Sequence, residues 1–190
     1  MHPADLFLPT ACNALGALQT WLDKAEAHAR GRGEDPDALP ALRLAPDMYP
    51  LSAQLRFVAF MAQEPVYRLR GEALPDALLY VRQEGWESND APGPLAPARA
   101  RLAEAQAFLG SVDPESLGGG EERAVALDLA NGMIFDLDGV GYLRDWALPQ
   151  LHFHHLTAYA ILRHHGVPLG KVDYVPHMWR YLREGTMPQA

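Results

Sequence analysis

Residues 151–166, LHFHHLTAYAILRHHG, hold five of the chain's eight histidines. Imidazole titrates near neutral pH and ligates transition metals, so acid–base or metal chemistry is sought here first. Each residue of an α-helix turns about 100° from the one before it, which gives every histidine a direction. With His154 as the origin, Leu151, Ala158 and Ile161 fall within about 60° of it, so His154 faces the core. His152 points the opposite way, on a wetter stripe with Tyr159 and Arg163. His152 and His155 have the i,i+3 spacing of a chelating pair, but that pair is aimed mostly away from the apolar stripe, which reads as rim or surface. His165 lies about 16 Å along the axis from His154, too far to share a ligand with it. His164 and His165 fill the last turn before Gly166, where donor side chains satisfy free carbonyls, so capping is their expected role. His2, His28 and His177 are isolated and carry no signal.

A site needs a second contributor from another element. Gln54 falls about 40° from Val58 on the buried face of a predicted helix over 50–70, and two inward polar groups on different helices imply a small polar cavity in an apolar bundle. Asp47, just ahead of that helix, either lines the mouth of the cavity or caps the helix. Two readings stand side by side. In one, His154 acts as base or ligand while Asp47 and Gln54 orient a small molecule, with Tyr159 and Arg163 as further pocket candidates. In the other, Gln54 bonds His154 only to satisfy burial, in a non-catalytic structural, dimerisation or stress-related bundle. A divalent metal is a candidate cofactor, with His154, His155 and His152 its weak candidate ligands. A mixed set of Asp47, Gln54 and His154 would suit a harder ion. Because three histidines do not converge, the expectation is weak, substoichiometric metal binding. A nucleotide cofactor is not expected: Gly118–Gly120 lacks the preceding strand and following helix of a phosphate loop.

These side chains must be positioned by helices. Phe7, Ala11, Ala14, Leu18, Trp21 and Ala25 recur at helical spacing, which predicts a first helix over about 4–30. The second, over 50–70, is expected to kink or restart at Pro65. The proline-rich stretch 71–96 reads as a long connection with one short helical piece at 77–83. A third helix spans 96–109, with Leu102, Ala105 and Leu109 inward. The period then changes to two: Val125, Leu127 and Leu129, a turn at Asn131–Gly132, then Met133, Phe135 and Leu137, a β-hairpin. From Gly139 the helical pattern returns through Gly166, with a kink expected near Asp145 because of Pro149. The tail PHMWRYLRE adds a short helix. The predicted class is mainly α: a four-helix bundle with a small hairpin between the third and fourth helices.

Composition sets the outer limits. The chain has 190 residues, 48% of them hydrophobic, enough for one core, and is read as a single domain over 1–190, with its core at 4–175 and an extension at 176–190. Sixteen Lys and Arg against 24 Asp and Glu give a net charge of −8, which disfavours nucleic acid and anionic membrane as partners. The partners it admits are a small molecule and a second copy of the chain. One cysteine, Cys12, and the absence of a basic leader or a long apolar run lead to a cytoplasmic expectation.

Three segments carry a resemblance: LHFHHLTAYAILRHHGVPLGKVD at 151–173, RLAPDMYPLSAQL at 43–55 and KAEAHARGRG at the end of the first helix. Together they resemble a bacterial domain-of-unknown-function family in the DinB/YfiT-like superfamily of four-helix bundles. The resemblance covers most of the chain and matches that family at Asp47, Met48, Gln54, His154, Tyr159, Arg163, His164, Gly170 and Lys171. It implies a bundle fold and, in many superfamily members, a divalent metal held by one histidine on the second helix and a pair four apart on the last. Here the second helix contains no histidine and the last has no such pair. The acidic stretch that opens the family's third helix is replaced by NDAPGPLAP.

Overall fold

The apolar repeat that starts at Phe7 folds as α1, Pro3–Gly31, in a computed structural model that describes residues 3–186. His2 and positions 187–190 of the expected extension lie outside the described residues. α1 stops where Gly33 turns to φ 73° and the Glu34 N–H returns to the Ala29 carbonyl at 2.9 Å. α2, Leu51–Arg70, closes at Gly71 in the left-handed region, φ 71°. Sixteen of its twenty residues are buried, which makes α2 the central element of the bundle. It runs through Pro65 as one helix rather than restarting. α3, Asp76–Glu87, α4, Leu95–Ser111, and α6, Leu148–His164, pack around it, and α1 closes the bundle against α4 and α6. Leu102, Ala105 and Leu109 of α4 are buried, on the face that their spacing predicts.

α3 corrects the reading of 71–96 as a connection, because the helix has twelve residues and extends well past 83. Its buried stripe is only Leu78, Val81 and Gly85, too narrow to stand out in a proline-flanked segment. Gly85 looks like a turn former in sequence, yet it is helical: a Cβ there would come 2.5 Å from Cε1 of Phe57, so glycine lets α3 close onto α2.

The hairpin forms as β1, Val125–Asp128, antiparallel to β2, Ile134–Leu137, with Leu127 opposite Phe135. Gly132 at φ 85° makes the turn, and Asn131 Oδ1 accepts from the Met133 N–H at 3.1 Å. Val125 and Leu127 are buried, but Met133 and Phe135 are exposed, contrary to the inward alternation expected for both strands. β1 backs onto the bundle, tied to it by Arg68 Nη1, which donates to the Ala126 carbonyl at 3.0 Å, whereas β2 reaches the core only at Leu137.

Pro149 interrupts the last helix at the expected place by a different device. α5, Gly139–Gly141, passes into a π-helical stretch, Tyr142–Ala147, before α6 begins. Proline has no N–H to return to Asp145, and the wider turn accommodates the missing bond. After α6 come α7, Lys171–Tyr174, and a 3₁₀ turn at Pro176–Tyr181, the short helix expected of the tail. Among the described residues no helix is long and apolar enough to cross a membrane.

Candidate ligand-binding site

Helical phase on α2 and α6 brings Gln54 and His154 together. His154 Nδ1 lies 2.8 Å from Gln54 Oε1, and Gln54 Nε2 donates to the Tyr49 carbonyl at 3.3 Å. That carbonyl can only accept, so the amide nitrogen must face it and the amide oxygen must face the imidazole. Nδ1 therefore carries the proton, and Nε2 is the nitrogen left free. Burial pushes the His154 pKa down to about 4, so the ring is neutral at pH 7.

His154 forms part of the wall of a cavity of about 570 Å³ between α2, α3, the hairpin and α6. The volume lies in the range of small-molecule sites. Tyr49, Phe57, Phe60, Trp86, Trp146 and Phe153 give it aromatic walls. Phe57 packs 4.8 Å from the His154 ring and edge-on to Tyr49 at 5.3 Å. Gln150, one turn before His154, also faces the cavity, as do Arg82, Asp128 and Glu64. Glu64 is buried and receives Arg68 Nε at 3.2 Å and Nη2 at 3.1 Å, so its charge is already answered. Beside it, burial together with the Glu64 carboxylate holds the Tyr142 phenol well above its ordinary range.

The other residues singled out in sequence lie elsewhere. Asp47 neither lines the cavity nor caps α2: Pro50 is the N-cap, with no side-chain cap bond, and Asp47 sits exposed on a turn pinned by Arg43 Nη1 to the Met48 carbonyl at 2.6 Å. Tyr49 is the residue that this segment delivers to the cavity. Tyr159 is half-buried against Trp21 and Tyr174, at 5.3 and 5.7 Å, and belongs to the core. Arg163 is exposed and outside the cavity.

His155 is a correction of another kind: it is buried, 4.4 Å from Trp21 and 5.0 Å from Tyr174. α1 and the C-terminal segment cover that flank of α6, so its buried face is wider than the Leu151–Ala158–Ile161 stripe. Burial and the nearby His152 push the His155 pKa down to about 4, opposed by a backbone hydrogen bond to Ala14, which favours the protonated ring. His152 is exposed and lines a second cavity, about 330 Å³, with His155 and His177. His165 is the C-cap of α6 through its backbone, whose N–H returns to the Ile161 carbonyl at 3.1 Å, while its side chain turns away and Nε2 lies 3.0 Å from the Arg43 carbonyl of the loop before α2.

Sequence reasoning missed Arg82, Trp86, Trp146 and Gln150. Two spacings carried a signal: Arg82 and Trp86 are four apart, as are Gln150 and His154, and such pairs share a helix face.

The donor set does not suit the metal centre that the superfamily implies. Near His154 stand two neutral amides, Gln54 and Gln150, and Nδ1 is already committed to one of them. Among the described residues no three His, Cys, Asp or Glu side chains are grouped to hold an ion. The mixed site with Asp47 is not assembled either, since Asp47 is on the surface.

Residues 4–175 match the family model described as a domain of unknown function, DUF1993. A crystal structure of a DinB family member protein from Shewanella denitrificans is similar to this chain at 29% identity and TM-score 0.73, covering 98% of this chain and 94% of that one. No curated protein matches the sequence. The match over most of the chain, on a mainly helical frame with one small hairpin, shows that the protein belongs to the DUF1993 family and has a DinB-like fold.

Proposed function

We propose that the chain binds a small organic molecule in the aromatic cavity and that His154 engages it through Nε2. The observation that carries this reading is the relay from the Tyr49 carbonyl through Gln54 to His154 Nδ1, which fixes one tautomer beside the cavity. With its pKa near 4, the imidazole is a weak base at neutral pH and a good hydrogen-bond acceptor, so its first role is to orient a hydroxyl or N–H of the ligand. Proton abstraction would require the bound ligand to raise that pKa.

A second reading, a non-catalytic bundle, is favoured by one fact: Gln54 and His154 satisfy each other, so the pair can exist for packing alone. A mutational cycle separates the two. His154→Leu leaves Gln54 Oε1 buried without a donor and should cost about 1–3 kcal/mol. Gln54→Met with His154→Leu removes both partners and should recover most of that loss. The double variant should nevertheless lose the fragments that wild-type protein binds in ligand-observed NMR. Those same fragments should also be lost on Ala130→Trp, which adds bulk at an exposed position of the cavity rim. Undiminished fragment binding by the stable double variant would favour the packing role.

A further inference from the structure

We infer that the cavity selects an organic monocarboxylate with an aromatic or apolar body, and that Arg82 is the group that reads its charge. The inference rests on the proposed binding role of the cavity and extends it to a ligand class.

Among the described arginines that are not fully exposed, Arg82 stands apart in having no hydrogen bond or ion pair; Arg56 Nε is likewise unpartnered, but Arg56 Nη1 reaches Ser52. The Arg82 guanidinium is 5.1 Å from the Phe60 ring and 5.0 Å from the Trp86 ring, held between two walls of the cavity. Its Nε is buried and has no hydrogen-bond partner among the described residues. Every other arginine that is not fully exposed has an acceptor. Arg43 reaches the Met48 carbonyl, Arg56 reaches Ser52, Arg68 reaches Glu64, and Arg70 reaches Ser116. Arg99 pairs with Asp23 and Glu26, and Arg101 with Glu84. In a chain with eight more acidic than basic residues, counterions for arginine are abundant. A half-buried guanidinium without one is thus left open to an anion from outside. The two carboxylates on the cavity wall do not fill this role: Glu64 is paired with Arg68, and Asp128 lies exposed on β1 with no ion pair to Arg82.

The shape of the site narrows the anion. One planar guanidinium matches one carboxylate in a two-pronged contact, whereas a phosphate dianion calls for more positive charge than a single arginine supplies. Aromatic walls on the remaining sides fit an apolar or aryl body, and stacking on Phe60 and Trp86 holds the guanidinium plane in place. His154 Nε2 adds an acceptor for a hydroxyl or N–H on that body.

The test compares 2-naphthylacetate with its uncharged amide, by calorimetric titration of the full chain at low salt. Wild-type protein should bind the acid at least about tenfold tighter than the amide, the scale of one charge-assisted contact. Arg82→Gln should abolish that preference, bringing the acid-to-amide affinity ratio to about one whatever its effect on the amide alone, and Arg82→Lys should restore part of it. Ala130→Trp should weaken both probes. An acid-to-amide ratio unaltered by Arg82→Gln overturns the role of Arg82 and leaves the cavity reading standing. Failure of both probes to bind wild-type protein, or binding unaffected by Ala130→Trp, overturns the cavity reading itself.

Discussion

Gly139→Ala is expected to destabilise the fold by more than about 4 kcal/mol, enough to leave little folded protein. A Cβ at position 139 would stand 1.8 Å from the Gly120 carbonyl oxygen, 2.8 Å from its carbon and 3.0 Å from Leu69 Cδ2. The obstacle is backbone, so no side-chain rotation relieves it. Gly120 is itself boxed in, because its own Cβ would meet the Leu69 carbonyl oxygen at 2.9 Å. The end of α2, the Gly118–Gly120 loop and the start of α5 therefore meet at a junction where two glycines allow close backbone approach. Gly110→Ala in α4, with nothing within 4 Å, is the control and should be neutral or stabilising by up to about 1 kcal/mol. Chemical denaturation followed by circular dichroism measures both. A Gly139→Ala protein as stable as wild type would mean that the junction is not built this way.

Trp21→Ala should cost about 3–5 kcal/mol. The indole is fully buried and packs against His155, Tyr159 and Tyr174, and its Nε1 donates to the Asp173 carbonyl at 2.7 Å. It is the chief link between α1 and the C-terminal segment, reinforced by Lys24 Nζ to Asp173 Oδ1 at 2.5 Å. Trp21→Phe keeps most of the packing and loses the hydrogen bond, so about 1–2 kcal/mol is expected for it. Losing the indole should also speed amide hydrogen exchange in 171–175 well beyond its effect on α4. If Trp21→Ala unfolds at the same denaturant concentration as Trp21→Phe, the segment does not depend on this contact.

What sequence could reveal divides along physical lines. α1, α4 and the hairpin turn were legible because their signals are local: an apolar period, or an Asn–Gly pair that tolerates positive φ. α3 was not, because its narrow stripe includes Gly85, whose reason lies in Phe57 on another helix. The meeting of Gln54 and His154 follows from helical phase alone. Asp47 misled because its proximity to α2 in sequence does not fix the direction of a turn residue. The burial of His155 was hidden because it depends on Trp21 and Tyr174, distant in sequence. Arg82 was invisible for a similar reason: whether an arginine has found a counterion is a tertiary fact.

The measurement closest to the central claim is a ¹⁵N-edited NMR titration of the His154 ring in the full chain, with the resonance assigned by its loss in His154→Leu. The relay through Gln54 predicts a neutral ring at pH 7 with the proton on Nδ1, and a titration midpoint near 4. A proton resident on Nε2 at neutral pH would contradict it, because Nε2 would then not be the free acceptor beside the cavity, and a midpoint near the ordinary 6.5 would contradict the burial of the ring.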